Sequence, residues 1–295
     1  MRAALDGLPA FIATHARALD RRRYELWTGA GDIDATRAAL NAYRNPDGGY
    51  GSGLEPDLRA VESQPVAAMH AFEVLAEMGP ASFPESVALC EWLASVALDD
   101  GGLTFALPLA DPAGCAPFWA GADHSTSSLH ITAAVTGYAW KVARHDPGVA
   151  AHPWLERSTR YCMRAIATSE EPGHALELMY VLRFLDAVMD REPEAGPQLE
   201  RLGRFIPESG VLPVAGGLED EVLRPLDLAP EPGSPARTLF DASAIEKDLD
   251  RLEQSRAEDG GWPLGWQAYS PAAAVEWRGY LTIAALSVLR ANGRL

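Results

Sequence analysis

Residues 251–293, RLEQSRAEDGGWPLGWQAYSPAAAVEWRGYLTIAALSVLRANG, decide the fold. A helical pattern runs into a polar turn, Glu258-Asp259-Gly260-Gly261-Trp262. A short aromatic loop follows, and the pattern predicts a second helix from about Glu276 to Ala291. Paired glycines permit backbone conformations that a side chain forbids, so the chain can reverse sharply. Trp262, directly after the turn, is placed to plug the gap between the two helices and fix their register. Helix, DGG turn, aromatic and helix together make one αα-hairpin.

The same unit recurs upstream. Asp34 to Met78 carries Asn45-Pro46-Asp47-Gly48-Gly49-Tyr50 at its turn, and Pro84 to His145 carries Leu98-Asp99-Asp100-Gly101-Gly102-Leu103. Aligning the second helices places Gln64, Glu171 and Arg278 at matching positions, with His130 close by. Two further hairpins are degenerate. Trp154 to Met189 has Glu170-Glu171-Pro172-Gly173 at its turn, and Pro193 to Phe240 has a long Pro-rich connection. Ahead of them, Leu8 to Trp27 reads as a first helix with Leu8, Phe11, Ile12, Ala16 and Leu19 in one stripe, placed to close a ring against the last hairpin. Asp32 or Asp34 then caps the next helix. Repeats of this length stack their apolar faces and often close into solenoids or rings. The expected fold is all-α, a single α/α toroid over residues 1–295 with five or six hairpins. Strand content is expected to be minor, and the Pro/Gly-rich stretches 104–122 and 210–235 read as long loops of the kind that serve as lids or binding loops.

The three turns, DGGW after Gln254, DGGY at Asp47 and DGGL at Asp100, resemble the QW-type repeats of terpenoid cyclases and protein prenyltransferases. The phrase NPDGGYGSGLEPDLR is similar to that of a group of bacterial proteins described as prenyltransferase-like. The resemblance implies inner and outer helices around a central cavity, and an isoprenoid or similarly apolar substrate. Fold alone does not fix function.

The chain has 295 residues, 47% hydrophobic and 22% charged, the proportions of a globular protein. A net charge of -16 argues against a nucleic-acid partner, which needs a basic footprint. Cys90, Cys115 and Cys162 are odd in number and widely spaced, so no disulfide framework is implied and a cytoplasmic location fits. The N-terminal stretch is amphipathic and lacks the apolar core of a signal peptide. No run of about 18 apolar residues is long enough to span a membrane.

In a toroid the inner helices start at one mouth, where free N–H groups and the helix dipole favour polar ligands. The segments entering it hold Glu55, Asp57, Arg59, Gln64, Asp123, His124, His130, Glu171, His174, Glu276 and Arg278, with Trp119, Trp262 and Trp266 on loops above. Asp123-His124-Ser125-Thr126 is the densest polar run, and Asp123, His124 and Glu276 are the expected acid–base residues. Glu55, Asp57, Arg59, Gln64, Trp119, His130, Glu171, His174, Trp266 and Arg278 are expected to bind substrate. For each acid the competing reading is a plain helix cap, and Ser125 too reads as one. Cys115-Ala116-Pro117-Phe118-Trp119 loosely resembles the phrase around the ligand Cys of protein prenyltransferases, which suggests zinc at Asp111, Cys115, His124 and His130. The spacing departs from that family, and no cofactor, zinc or magnesium included, is expected. The functional reading is an enzyme acting on a mostly apolar small molecule. The alternatives are a noncatalytic binding or scaffold protein, and a carbohydrate-active (α/α) barrel with paired carboxylates.

Overall fold

The computed structural model describes residues 5–295; the first four residues of the amphipathic N-terminal stretch lie outside the described residues. The chain is all-α, with 55% helix and 3% strand. In order it forms α1 (Leu8–His15), α2 (Ala18–Thr28), α3 (Ile33–Asn41), α4 (Pro65–Glu77), α5 (Pro84–Val96), α6 (Pro117–Ala120) and α7 (Leu129–Ala143). Then come α8 (Pro147–Ala150), α9 (Pro153–Thr168), α10 (Ala175–Val188), α11 (Ala195–Gly203), β1 (Leu212–Pro213), β2 (Val222–Leu223), α12 (Pro225–Leu228), α13 (Ala242–Gln254) and α14 (Pro271–Ala291). Among the described residues the minor strand content is one antiparallel pair, β1 with β2, inside the second long loop, and two isolated bridges, Arg44 with Tyr50 and Leu58 with Cys115. Two compact units emerge: one runs up to Ala39 and resumes over Ile206–Leu295, and the other is Leu40–Phe205. Among the described residues no helix is long and apolar enough to cross a membrane.

Each DGG turn closes with the same three hydrogen bonds. At the first, Gly48 N donates to Asn45 O (3.1 Å), Asn45 N to Gly49 O (2.9 Å), and Gly49 N to the Asp47 carboxylate (2.9 Å). At the second, Gly101 N donates to Leu98 O, Leu98 N to Gly102 O, and Gly102 N to Asp100, each at 2.9 Å. At the third, Gly260 N donates to Ala257 O (2.9 Å), Ala257 N to Gly261 O (2.9 Å), and Gly261 N to Asp259 (3.1 Å). The first glycine of each pair sits at φ +94, +94 and +96°, a region open to glycine and costly for other residues.

A helix seats on each turn in the same way. A Cβ on Gly48 would lie 2.9 Å from Ala88 O of α5, and one on Gly101 would lie 2.8 Å from Arg157 O of α9. One on Gly260 would lie 2.5 Å from the carbonyl carbon of Gly7, which caps α1. Four residues further along each helix an aromatic ring covers the second glycine: Trp92 over Gly49, Tyr161 over Gly102, Phe11 over Gly261. The last turn therefore docks on α1 as the first two dock on the helices that follow them. The residue after each pair, Tyr50, Leu103 or Trp262, is buried. Trp262 does join its two helices: its Nε1 donates to Leu252 O of α13, and its backbone N–H to Thr282 Oγ1 of α14.

Two helix boundaries differ from the sequence expectation. The predicted single helix Leu8–Trp27 is broken at Ala16, which is extended (φ -77°, ψ 146°). The break seats Asp20, fully buried, between Arg17 Nε (2.8 Å) and Arg23 Nη1 (3.4 Å). It also lets α14 approach, because Gly279 has only 3.2 Å between its absent Cβ and Ala16 Cα. The predicted start of α14 near Glu276 lies too late. Ser270 caps the helix by accepting from Ala273 N (3.1 Å), and Pro271 opens it where its missing N–H costs nothing. The repeat alignment of Gln64 with Arg278 reappears as geometry. Gln64 N donates to Tyr50 O, and Ser128 N to Leu103 O, whereas Arg278 lies inside α14 and reaches Trp262 O with Nε instead.

In the Leu40–Phe205 unit, α7 packs between α4 and α10. His130 stacks on Tyr180, and Gly137 faces Phe184 with its absent Cβ 3.4 Å from Phe184 Cα. The contacts advance along both chains together, so α7 and α10 run parallel. In the other unit α1 and α2 pack on α14, and Leu8, Phe11, Ile12, Leu249, Trp262 and Leu286 share one core.

Candidate functional site

Helix α4, PVAAMHAFEVLAE, is apolar except for His70 and Glu73 (and Glu77 at its end), which lie one turn apart on one face. His70 is 4% exposed. Its Nε2 meets Glu55 Oε2 at 2.9 Å, and its Nδ1 meets Glu73 Oε2 at 3.4 Å. Burial alone would lower the imidazole pKa, but the hydrogen bonds to Glu55 and then Glu73 outweigh it and raise the value. His70 thus bridges two carboxylates, which favour its protonated form. Glu55 is brought to it by the loop after the first DGG turn. That loop pairs with the long loop 104–122 through Leu58 and Cys115, and Ala116 N donates to Asp57 O (2.8 Å).

Beside this trio stand the phenols of Tyr138 on α7 and Tyr180 on α10. Burial is the main cause that holds both protonated, pushing Tyr180 up to about 12 and Tyr138 higher still; Glu73 acts on both in the same direction. The Arg183 guanidinium lies 5.9 Å from the Tyr180 ring centre. His130 stacks on Tyr180 at 5.2 Å and meets Phe105 edge-on at 5.7 Å. Burial, helped by the charge of His174, pulls His130 down to about 4, so this imidazole is neutral. Phe105 in turn stacks on Trp119 at 4.7 Å. A hydrogen-bonded trio and an aromatic run thus meet at Tyr180.

Of the expected site residues, Glu55, His130 and Trp119 join this cluster. Asp57 is buried in the same loop, and Arg59 packs beneath Gly53 and Gly114. Gln64 is a clamp: its amide donates to Leu107 O (3.3 Å) and accepts from Leu107 N (2.8 Å), which pins the 104–122 loop. Asp123 is exposed and accepts from Ser125 N, Ser125 Oγ and Thr126 Oγ1. The Ser125 hydroxyl foremost, then Thr126, pull its carboxyl down to about 2. It is a turn carboxylate that stays ionised, a poor proton donor. His124 Nδ1 donates to Ala106 O (2.9 Å) at the surface. The helix cap expected of Ser125 falls instead to Ser128, which accepts from Ile131 N. Glu171 is exposed, and its carbonyl accepts from Ser169 Oγ; His174 caps α10 by accepting from Leu176 N.

Glu276, Arg278 and Trp266 belong to the other unit. Glu276 and Arg278 are not at a helix start but in the second turn of α14. Arg278 pairs with Asp259 of the DGG turn (2.8 Å) and lies over the Phe11 ring. Trp266 meets Trp277 edge-on at 5.2 Å. The zinc set does not assemble: among the described residues no three His, Cys, Asp or Glu side chains converge as metal ligands. Asp111 accepts from Ala113 N, Cys115 is buried in the loop pairing, and His124 and His130 are held elsewhere as described.

His70, Glu73, Tyr138, Tyr180 and Arg183 are absent from the sequence-based selection. The available signal is a His and a Glu three residues apart on an otherwise apolar helix. The apolar crevice among α7, α9, α10 and α11, lined by Leu129, Ile166, Leu178, Val181 and Leu202, encloses about 10 Å³ and is too small for a ligand.

The raised pKa of His70 has a measurable consequence. The folded state binds this proton more tightly than the unfolded chain does. The resulting stability is fully present below about pH 6.5 and is lost as pH rises through the folded-state value. Urea unfolding of the wild type and of His70→Gln between pH 5.5 and 9 should show a stability gap that narrows as pH rises. A gap constant with pH would refute the imidazolium.

No protein-family profile and no curated protein matches the chain. A solved structure of a protein from Actinoplanes is similar over 99% of each chain, at a TM-score of 0.56 and 14% sequence identity. A likeness at that identity shows a shared fold alone.

Proposed function

We propose that the chain is an α/α toroid of the terpenoid cyclase and prenyltransferase-like kind, which binds a small, largely apolar molecule with a polar head and acts on it by acid–base chemistry. The docking of the third DGG turn on α1, repeating that of the other two turns on α5 and α9, supports the ring. The observation that carries the site is the imidazole of His70 buried between Glu55 and Glu73. A buried ionic trio contributes little net stability compared with apolar residues of the same volume, so its presence on an apolar helix points to use. Two carboxylates that favour a protonated imidazole, beside two protonated phenols, are the equipment of general acid catalysis. It replaces Asp123, His124 and Glu276 as the acid–base centre of the proposal. The carbohydrate reading gains nothing from Glu55 and Glu73, because the imidazole bridges them.

Untargeted mass spectrometry of small molecules copurifying with the protein tests the reading. An apolar molecule should be recovered and should raise the melting temperature when added back. Asp123→Asn should retain that shift and Glu55→Gln should lose it. Recovery of the molecule chemically unchanged after long incubation would make the protein a binder and not an enzyme. A shift lost in Asp123→Asn but kept in Glu55→Gln would return the site to the surface turn.

A further inference from the structure

The end of α14 carries Asn292-Gly293, the one Asn-Gly pair in the chain. In such a pair the asparagine amide can be lost as ammonia. The backbone nitrogen of the next residue gives up its proton and attacks Cγ, and the Cγ–Nδ2 bond breaks as ammonia leaves. Water then opens the five-membered imide at either carbonyl, giving aspartate or, where the chain continues through Cγ, isoaspartate. Water is the only co-reactant, and nothing is oxidised or reduced. Glycine, having no side chain, hinders the attack least. The two other asparagines are worse placed. Asn45 precedes Pro46, which has no N–H, and Asn41 precedes Ala42, whose Cβ crowds the nitrogen.

In the folded protein both partners of that reaction are held. Nδ2 of Asn292 donates to Val288 O (2.8 Å) and Pro230 O (3.1 Å), and Oδ1 accepts from Arg237 Nη2 (2.8 Å). Both amide hydrogens are thereby used. The attacking nitrogen, Gly293 N, donates to Arg290 O (3.0 Å), and Arg294 N reaches back to Leu289 O (2.9 Å). With Gly293 at φ +72°, these are the two bonds of a Schellman cap. Ring closure on Cγ would break the cap and the side-chain bonds together.

The same bonds tie a second segment down. Arg237 also donates to Ala229 O (2.6 Å) and Pro230 O (2.9 Å), so Asn292 and Arg237 together fasten the end of the 210–235 loop to α14. A carboxylate at position 292 would keep Arg237. It would have no hydrogen for Val288 O or Pro230 O, and would face both carbonyls oxygen to oxygen.

We propose that Asn292-Gly293 is a self-modification site kept shut by this cap. It deamidates when the last turn of α14 opens, and the acid left behind cannot rebuild the tie. Each conversion therefore loosens the 229–237 segment permanently. The site needs no ligand and is independent of the function proposed above.

Peptide mapping by mass spectrometry tests it, on the whole protein held at pH 8.5 and 37 °C, either folded or in guanidinium chloride. The mass gain of amide-to-acid conversion at 292 should accumulate at least about tenfold more slowly in the folded protein. Isomerisation at the Asp-Gly turns adds no mass and is not counted. Arg237→Gln, shown to be folded by circular dichroism, should convert several-fold faster than the folded wild type. Arg237→Lys, which keeps the charge but not the planar fork, takes its place if that variant does not fold. Asn292→Asp reproduces the product. It should melt several degrees below the wild type, with faster hydrogen exchange at the amides of Ala229 and Arg237. Conversion as fast in the folded protein as in the unfolded would overturn the proposal. So would a folded Arg237 variant that converts as slowly as the wild type, or an Asn292→Asp protein with wild-type melting and exchange.

Discussion

Gly260→Ala should cost roughly 2–5 kcal/mol of stability, whereas Gly216→Ala should cost only about 1–2 kcal/mol. Both glycines have positive φ, +96 and +81°. Strain from a Cβ in that conformation is therefore common to the two. They differ in what the Cβ meets. At Gly216 there is nothing within 4 Å, while at Gly260 the Cβ would lie 2.5 Å from the carbonyl carbon of Gly7 and 2.6 Å from Leu8 N. Those atoms are backbone and cannot turn aside as a side chain can, so either the turn or α1 must move. Moving α1 disturbs Phe11, which covers Gly261, and the core it shares with Trp262 and Leu286. Gly48→Ala and Gly101→Ala should fall close behind, with contacts of 2.9 and 2.8 Å. Urea unfolding of the four variants gives the order directly. Equal losses at Gly216 and Gly260 would mean that the docking of the turn on α1 carries no energy.

Asp20→Asn should be as damaging, at about 3–5 kcal/mol, because it leaves two arginines without their shared countercharge. Asp20 is fully buried, Arg23 is 3% exposed, and the Arg17 side chain is 8% exposed. Removing one partner of a buried ionic group costs more than the group contributes, since the remaining charges must still be kept from water. The triple variant Asp20→Leu, Arg17→Met, Arg23→Met removes all three charges together. It should recover much of the loss if the cluster serves mainly to set the break at Ala16. A loss under about 1 kcal/mol for Asp20→Asn, the range of exposed pairs, would show that water reaches the cluster.

The helical hairpins were legible because their signals are local and repeated. A DGG triplet dictates its own hydrogen bonds, and three copies share one pattern of spacing. The break at Ala16 was not legible, since the close approach it permits is to Gly279, far along the chain and known only once α14 is packed. The early start of α14 carried a local signal, Ser270-Pro271, but the Ala-rich first turn has no apolar stripe to extend the helix back to it. At the candidate site, local polarity misled. Asp123 to Thr126 is the most polar run because it is a solvated turn bonding to itself. The trio is built from Glu55 on a loop and two residues of an apolar helix, so its density exists only in three dimensions. Trp119 and His130 are visible as single residues, but their link through Phe105 depends on how loop 104–122 folds back over α7.

The seating of the third turn on α1 also sets a timetable. Gly7 and Gly260 are about 250 residues apart, and ribosomes add roughly 5–20 residues per second. The apolar stripe of α1 therefore leaves the ribosome roughly 10–50 s before the turn that covers it. The Leu40–Phe205 unit has all of its chain within that interval and can form first. Until then Leu8, Phe11 and Ile12, buried in the finished protein, are a nascent-chain surface open to chaperones.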